Sequence, residues 1–372
     1  MTEIFLIIFF ISVLLFFLGS GIWVAISMIG VSTIGMMLFT SRPVGDAMAT
    51  TIWGTSSSWT LTALPLFVWM GEILFRTKLS ENLFAGLSPW MQKLPGGLIH
   101  VNVVGCALFA AISGSSAATV ATVGKMSIPE LRKRKYPEKI LLGSLAGSGT
   151  LGLLIPPSII LIIYGVTVQE SIAKLFIAGI IPGIMIALIF MSYVMIWSLI
   201  NKKSMPKYVE NFSFLEKIRK SKQLLPVIIL ISAVIGSIYT GVATATEAAS
   251  LGVVGALILS YFQKSLTIET FKQSLLGATK TSCMIAFILA GSTFLSLAMG
   301  FTGLPRNLAI WIQNMELSPY VLIFVLMIFY IILGMFLDGI SAVVLTMAII
   351  EPMIRQAGFD MIWFGIFLVI VV

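Results

Sequence analysis

The chain has 372 residues, of which 58% are hydrophobic and only 10% are charged. A soluble domain carries about a quarter of charged residues, so this composition excludes a water-soluble globular protein and indicates a large membrane domain. The net charge of +8 does not indicate nucleic-acid binding, because the basic residues lie in short loops between apolar stretches, where they set membrane topology.

Apolar segments long enough to cross about 30 Å of hydrocarbon recur along the whole chain. We predict spanning helices near residues 3–18, 22–40, 60–76, 138–166, 174–200, 224–240, 242–262, 280–299 and 361–372. Two further apolar stretches, 97–127 and 319–350, are interrupted by small polar residues at 113–116 and 338–341. Each interruption predicts two half-length helices joined at a turn, which is a re-entrant hairpin.

The basic residues support this layout. If the N-terminus lies outside, 19 of the 23 lysines and arginines fall inside, and the exceptions are Arg42, Lys174, Arg306 and Arg355. Counting either hairpin as a full crossing would remove this bias, which is the one that the positive-inside rule requires.

The two halves of the chain also share residues at a nearly constant spacing. The matched pairs are Gly19 with Gly241 and Gly30 with Gly252, 222 residues apart, and Gly114 with Gly339 and Ser116 with Ser341, 225 residues apart. The first repeat starts outside and the second inside, so we predict an inverted repeat, the architecture of many secondary transporters.

The predicted repeats divide the chain at residue 222. The first, 1–222, contains scaffold helices in 1–60, a hairpin in 97–127 and a broken helix in 138–166. The second, 223–372, contains scaffold helices in 224–262 and a hairpin in 319–350. The counterpart of residues 147–158 would begin near residue 370, so we expect the second repeat to be incomplete in this sequence.

Residues 147–158, Gly-Ser-Gly-Thr-Leu-Gly-Leu-Leu-Ile-Pro-Pro-Ser, break helix rules at the expected membrane depth. Glycines loosen the helix, and Pro156 and Pro157 remove N–H donors. Unpaired carbonyls are costly in hydrocarbon and persist only against protein, water or a ligand. With serine hydroxyls opposite, they would form an uncharged oxygen cage suited to Na⁺. The alternative interpretation is a hinge with close-packing glycines.

Asp338 is the most conspicuous single residue, because a carboxylate at a hairpin tip in an apolar stretch is costly and usually functional. The alternative is that it caps the second half-helix through backbone N–H groups. Both interpretations remain open at this stage.

Four segments together resemble the large membrane subunit of TRAP (tripartite ATP-independent periplasmic) transporters, and the resemblance covers essentially the whole chain. They are FAAISGSSAAT at 109–119, GTLGLLIPPS at 149–158, LFIAGIIPG at 175–183 and GMFLDG at 334–339.

The resemblance implies an all-α polytopic protein with an inverted repeat, two re-entrant hairpins and broken helices. It also implies Na⁺-driven import of an organic acid anion, such as a C4-dicarboxylate, sialic acid or another sugar acid, by an elevator mechanism. The expected partners are a small four-helix membrane subunit, a periplasmic binding protein and the lipid of the bacterial inner membrane, with the N-terminus periplasmic. No enzyme activity and no nucleic-acid partner are expected.

The resemblance further assigns individual residues to ligands. One Na⁺ would lie among Ser113, Ser116, Gly152, Ile155 and Pro157, and a second at Asp338, Gly339 and Ser341. The residues implied for the substrate are Gly114, Ser115, Ser158 and Asp338.

Two other functions are alternatives. One is a proton-coupled organic anion permease of related fold; Glu or His inside the membrane would favour protons, whereas the hydroxyls and carbonyls at the tips favour Na⁺. The other is an intramembrane serine protease that pairs His100 with Ser113 or Ser115, but His100 lies 13 helical residues before Ser113, about 20 Å away, so this enzyme is not expected.

Overall fold

The structure is a computed structural model that describes residues 3–76, 79–206, 212–222, 224–303, 307, 318–335 and 337–372. These residues form helices and connecting turns, and no strand occurs among them. Residue 223, where the second predicted repeat begins, and Phe336, in the last segment of the family resemblance, lie outside the described residues, as does Arg306.

The first part of the chain forms twelve α-helices of different lengths within the described residues. They are α1 (Glu3–Gly19), α2 (Val24–Phe39), α3 (Val44–Ser56), α4 (Ala63–Phe75), α5 (Leu79–Met91), α6 (Ile99–Ser113), α7 (Ser116–Lys133), α8 (Glu138–Gly149), α9 (Leu151–Leu154), α10 (Ile159–Thr167), α11 (Ile172–Ile200) and α12 (Phe214–Ser221). Short 3₁₀ turns occur at Trp59–Thr62 and Lys202–Ser204.

The described part of the remainder forms six further helices. They are α13 (Leu225–Tyr239), α14 (Ala245–Phe262), α15 (Ile268–Thr302), α16 (Pro319–Gly334), α17 (Gly339–Gln356) and α18 (Met361–Val371). Among the described residues, four helices are long and apolar enough to cross a membrane, and up to seven if each bent helix pair is one span. The prediction of an all-α polytopic membrane protein is therefore confirmed.

Three helices were not predicted from the sequence. The helix α3 is rich in threonine and glycine, α5 is amphipathic, and α12, FLEKIRKS, is strongly charged. A search for long apolar segments detects only helices that are apolar on every side, so it misses helices with one polar face. For the same reason α15 begins twelve residues earlier than predicted, at Ile268 rather than 280.

The described helices form two compact units, each built from separate stretches of chain. One unit contains residues 1–62, 162–175 and 281–372, and the other contains 63–161 and 176–280. The helices α10, α11 and α15 contribute to both.

The unit that contains the N-terminus is packed through aromatic and methionine side chains. Phe10 of α1 lies against Gly35 of α2, where a Cβ would be 2.7 Å from the ring. Met36 packs with Phe294 and Ala298 of α15 in a fully buried cluster. Burial of such side chains contributes about 1.5–3 kcal/mol each in water, but in a membrane the gain comes from close packing.

In the same unit α10 is fixed to α18. The buried Tyr164 hydroxyl donates a 2.6 Å hydrogen bond to the Met361 carbonyl. Its ring lies so close to Gly365 that a Cβ there would be 2.5 Å from the ring edge. The glycine is therefore required by a close approach between helices.

The other unit contains the first hairpin. The helices α6 and α7 pack against each other and against α8, and Val103, Ala110 and Leu151 are buried together. The hairpin also approaches α4, because a Cβ on Gly71 would lie 2.9 Å from the Ile112 carbonyl oxygen. The two half-helices predicted from residues 97–127 are present.

The helix α11 lies at the outer surface of this unit. Ile181 and Ile200 are each 77% exposed, although the helix is among those apolar enough to cross a membrane. Side chains of this type at the exterior are expected where lipid, and not water, is the solvent.

Helices recur in the two halves of the chain at a nearly constant spacing. Their first residues are 3 and 225, 222 apart, 24 and 245, 221 apart, 116 and 339, 223 apart, and 138 and 361, also 223 apart. The inverted repeat itself stays a prediction, which this order of elements supports.

We expect Gly365→Ala to destabilise the protein by about 1–3 kcal/mol, because the Tyr164 ring is buried and held by its hydroxyl and cannot move aside. The matched control is Gly300→Ala on α15, where a Cβ would meet nothing within 4 Å. Thermal unfolding in detergent should show a lower midpoint for the first variant only. Equal midpoints would contradict this account of the packing.

Candidate functional site

The tip of the first hairpin is a two-residue turn. The helix α6 ends at Ser113, and Gly114 follows with φ of +59°, a left-handed conformation that favours glycine. The next residue, Ser115, caps α7, since its hydroxyl accepts a 3.5 Å hydrogen bond from the Ala118 N–H. The sequence Ser-Gly-Ser thus ends one helix and starts the next.

Three oxygen atoms meet at this tip. The Ser113 Oγ lies 2.8 Å from the Thr119 Oγ1, which in turn lies 2.8 Å from the Ser115 carbonyl oxygen. Thr119 is fully buried. Sequence analysis missed Thr119, although its spacing of four from Ser115 on α7 indicates that the two residues share one helix face.

The opposite wall is the broken helix. The helix α9 ends at Leu154, Ile155 is extended with φ of −74° and ψ of 123°, and α10 starts at Ile159. The helices before and after this break are bent by 40°. The broken helix predicted at residues 138–166 is confirmed.

Because the two prolines lack N–H groups, two carbonyls, those of Leu153 and Gly152, lose their ordinary helical donors. The Leu153 carbonyl, which would bond to residue 157, accepts a hydrogen bond from the buried Ser158 hydroxyl. The Leu161 N–H donates to the same hydroxyl at 3.4 Å. The Gly152 carbonyl loses its ordinary donor because Pro156 has no N–H. Ser158 therefore braces the break, and its predicted substrate contact stays untested.

The tip and the break are in direct contact. A Cβ on Gly152 would lie 2.9 Å from the Ser115 carbonyl and from the Thr119 Oγ1. The Gly114 carbonyl accepts a 3.4 Å hydrogen bond from the Ile159 N–H, and a Cβ on Gly114 would lie 3.0 Å from the Pro157 carbonyl oxygen. The structure therefore brings these parts of the first predicted site together.

Two further predicted residues lie at the edges of this contact. Ser116 is the first residue of α7 and is partly exposed. The Ile155 side chain is directed toward Gly183 of α11, where a Cβ would lie 2.9 Å from it. Ile155 can thus offer only backbone oxygen to a ligand at the tip.

The second tip, in the unit that contains the N-terminus, is built around Asp338. Its carboxylate accepts hydrogen bonds from the Ser341 N–H at 3.2 Å and the Ser341 hydroxyl at 2.6 Å. Asp338 therefore caps α17, whose first residue is Gly339. The capping interpretation is observed, and a ligand role for Asp338, Gly339 and Ser341 stays a prediction.

His100 is fully buried at the start of α6, and its Nε2 lies 2.7 Å from the Pro95 carbonyl oxygen. The ring is therefore engaged at the opposite end of α6 from Ser113. A serine–histidine pair of the kind that a protease needs is not formed by these residues.

We expect Gly152→Ala to separate the tip from the break, because the new methyl group would meet backbone atoms, which cannot yield as a flexible side chain can. The cost should be about 1–3 kcal/mol in thermal unfolding. Gly143→Ala on α8 is the matched control, since a Cβ there meets nothing within 4 Å. A Gly152→Ala protein as stable as this control would show that the contact is not tight.

Comparison with known proteins identifies the family. A family model for the tripartite ATP-independent periplasmic transporter, DctM component, matches residues 10–372. The C4-dicarboxylate TRAP transporter large permease protein DctM of Pseudomonas aeruginosa is 32% identical, over 90% of this chain and 78% of that protein.

Two further relatives have different named substrates. The 2,3-diketo-L-gulonate TRAP transporter large permease protein YiaN of Escherichia coli is 31% identical, over 87% of this chain and 76% of that protein. The sialic acid TRAP transporter large permease protein SiaM of Vibrio cholerae is 30% identical, over 94% of this chain and 81% of that protein. The chain belongs to the large permease family of tripartite ATP-independent periplasmic transporters and is a multi-pass membrane transport component, not an enzyme.

Proposed function

We propose that this protein is a Na⁺-coupled permease that imports an organic acid anion through the bacterial inner membrane, with its N-terminus on the periplasmic side. A periplasmic binding protein delivers the anion, and a small four-helix membrane subunit packs beside the permease. The observation that supports this proposal most strongly is the contact between the hydroxyl-lined tip at Ser113 and the broken helix at Gly152.

The chemistry of the tip favours Na⁺ over a proton as the coupling ion. The groups that converge there are the hydroxyls of Ser113 and Thr119 and the carbonyl of Ser115. In the proposal, the Gly152 carbonyl joins them as a ligand. Neutral oxygens of this kind replace the water shell of a monovalent cation, whereas proton coupling needs a group that titrates. In the proposal, Ser116, Ile155 and Pro157 complete the cage.

The second tip is proposed to hold another Na⁺. Asp338, Gly339 and Ser341 offer carboxylate, carbonyl and hydroxyl oxygens at the start of α17. A carboxylate that already caps a helix can share its remaining lone pairs with a cation. A contact between Asp338 and the substrate remains a separate proposal.

The anion itself is proposed to lie against the first tip. Gly114 and Ser115 begin the turn into α7, whose first N–H groups and positive dipole end favour a carboxylate. The relatives named for a C4-dicarboxylate, a diketogulonate and a sialic acid are 32%, 31% and 30% identical. This spread is too small to choose among such acids.

The proposed movement is an elevator. A rigid carrier body needs its parts to be locked together. The tip and the break pack so closely that no side chain fits at Gly152, and the Ile159 N–H donates a hydrogen bond to the Gly114 carbonyl. A tip and a broken helix held this closely would move as one body with the bound ion and anion.

Transport by the full-length protein, reconstituted with its small subunit and binding protein, should require Na⁺. The acid is first identified by a thermal-shift screen of the binding protein with succinate, N-acetylneuraminate and 2,3-diketogulonate. Uptake into proteoliposomes is then measured with Na⁺ or K⁺ outside. Uptake that is equal in K⁺ and follows an imposed proton gradient would refute the proposal in favour of the proton-coupled permease.

In the same assay, Thr119→Val keeps the shape of the side chain but removes one oxygen from the proposed cage. The half-saturating Na⁺ concentration should rise about tenfold, as expected for the loss of about 1.4 kcal/mol. Thr279→Val on α15 removes a hydroxyl that bonds only its own helix and should leave Na⁺ dependence unchanged. An equal half-saturating Na⁺ concentration in both variants would count against Thr119 as part of the Na⁺ site.

Pro156→Ala tests whether the Gly152 carbonyl binds the ion. The new N–H can bond to the Gly152 carbonyl and withdraw it from the ion, so the half-saturating Na⁺ concentration should rise about tenfold. Pro89→Ala, in the interior of α5, controls for the removal of a proline from a helix. Unchanged Na⁺ affinity in a correctly folded Pro156→Ala protein would exclude the Gly152 carbonyl as a ligand.

A further inference from the structure

The unit formed by residues 63–161 and 176–280 contains a second feature, a cavity of about 880 Å³. It lies beside α7, beginning one turn beyond the hairpin tip. Its lining includes Thr122, Lys125 and Glu130 of this helix, together with Arg76, Arg134 and Lys220 from neighbouring segments. A volume of this size is that of a small-molecule site.

Two of the four cations in this lining are already paired with carboxylates. The Arg76 guanidinium lies 2.5 Å from Glu72 and also donates to the Gln273 carbonyl at 3.3 Å. Gly277 leaves the space that Glu72 occupies, since a Cβ there would lie 2.7 Å from its carboxylate. Arg134 lies 2.9 Å from Glu130. These pairs position the walls and add little net charge.

The other two cations are Lys125 and Lys220. Among the described residues, neither forms a salt bridge. The Lys220 ammonium lies 3.9 Å from the centre of the Phe212 ring, which also lines the cavity. Such a cation–π contact holds the ammonium in place without neutralising it. The described lining therefore has an excess of positive charge, which attracts anions.

One of the lining residues has a buried hydroxyl without a partner. Thr122 is only 4% exposed, lines the cavity, and its Oγ1 has no hydrogen-bond partner among the described residues. The Nε of Arg76 is likewise buried and without a partner there. Buried polar groups are nearly always satisfied, so each such atom calls for a ligand or a water molecule.

The positions along α7 connect this cavity with the proposed site. Thr119 belongs to the tip, Thr122 follows three residues later, and Lys125 three residues after that, so all three share one side of the helix. The rise from Thr119 to Lys125 is about 9 Å. One helix face thus changes from neutral hydroxyls at the tip to a cation further along.

We propose that this cavity is a second anion site, in which Lys125, Lys220 and Thr122 bind the carboxylate of the transported acid after it leaves the hairpin tip. This proposal rests on the proposed function for the identity of the acid. The basic loops near the cavity belong to the side that the positive-inside rule places in the cytoplasm, so the site would receive the anion on its way out of the permease.

The test uses the full-length protein in nanodiscs of zwitterionic lipid, with succinate and N-acetylneuraminate as probes at constant ionic strength in K⁺. Thermal shift gives the apparent Kd of each probe. We expect Lys125→Gln and Lys220→Gln each to raise the Kd of at least one probe about fivefold. Lys139→Gln and Lys272→Gln, which change lysines outside the lining, should alter it less than twofold.

Thr122→Val separates a binding role from a structural one. Removing a buried hydroxyl that has no partner should leave the stability of the ligand-free protein unchanged or slightly increased. It should nevertheless raise the Kd of the same probe. A loss of ligand-free stability together with an unchanged Kd would show that Thr122 serves packing and would overturn its assignment.

The remaining outcomes distinguish the sources of the anion and the two proposals. Stabilisation by phosphatidylglycerol that the lysine variants lose, with unchanged binding of both acids, would assign the cavity to a lipid headgroup and overturn the proposal. Failure of both probes to bind would overturn it too. Normal Na⁺ dependence of uptake in these variants would show that the proposed function stands by itself.

Discussion

The structure depends on one constraint: backbone that leaves the helix inside a membrane must be satisfied by something other than water. At residues 150–159 the prolines prevent the helix from closing, and the missing partners come from the break itself and from the first hairpin tip. Gly152 permits the approach, Ser158 takes up one released carbonyl, and the Gly114 carbonyl accepts the Ile159 N–H. The other released carbonyl, that of Gly152, is the one proposed to bind the ion.

Much of this arrangement could be predicted from the sequence, because glycine, proline and serine mark breaks in apolar helices directly. The two hairpins and the broken helix were predicted on that basis. The helices α3, α5 and α12 were missed, because each has a polar face that apolar patterning does not detect. Thr119 and the bracing role of Ser158 depend on which side of a helix meets a neighbour, and that is decided by tertiary packing.

The spacing of the two tips shows a second limit of sequence matching. Matching glycines and serines aligned Gly114 with Gly339, at a spacing of 225. The helices that follow the tips begin at Ser116 and Gly339, at a spacing of 223, close to the 222 found for the glycine pairs. Hydrogen bonding therefore makes Ser115 and Asp338 equivalent, since each caps its helix. A carboxylate in one tip occupies the structural position of a hydroxyl in the other.

The order of groups along α7 gives a physical basis for coupling ion and anion. On the proposed function, the neutral oxygens at Ser113 and Thr119 leave the charge of a bound Na⁺ uncompensated, so a carboxylate beside it is stabilised only while the ion is present. On the further proposal, the lysines beyond Thr122 become the more favourable partners for the anion once the ion leaves. On the proposed function, a carboxylate placed permanently at the first tip would remove this dependence, because it would neutralise the ion and repel the anion. On this proposal, the neutral oxygens that converge at that tip are what allows the ion to control the anion.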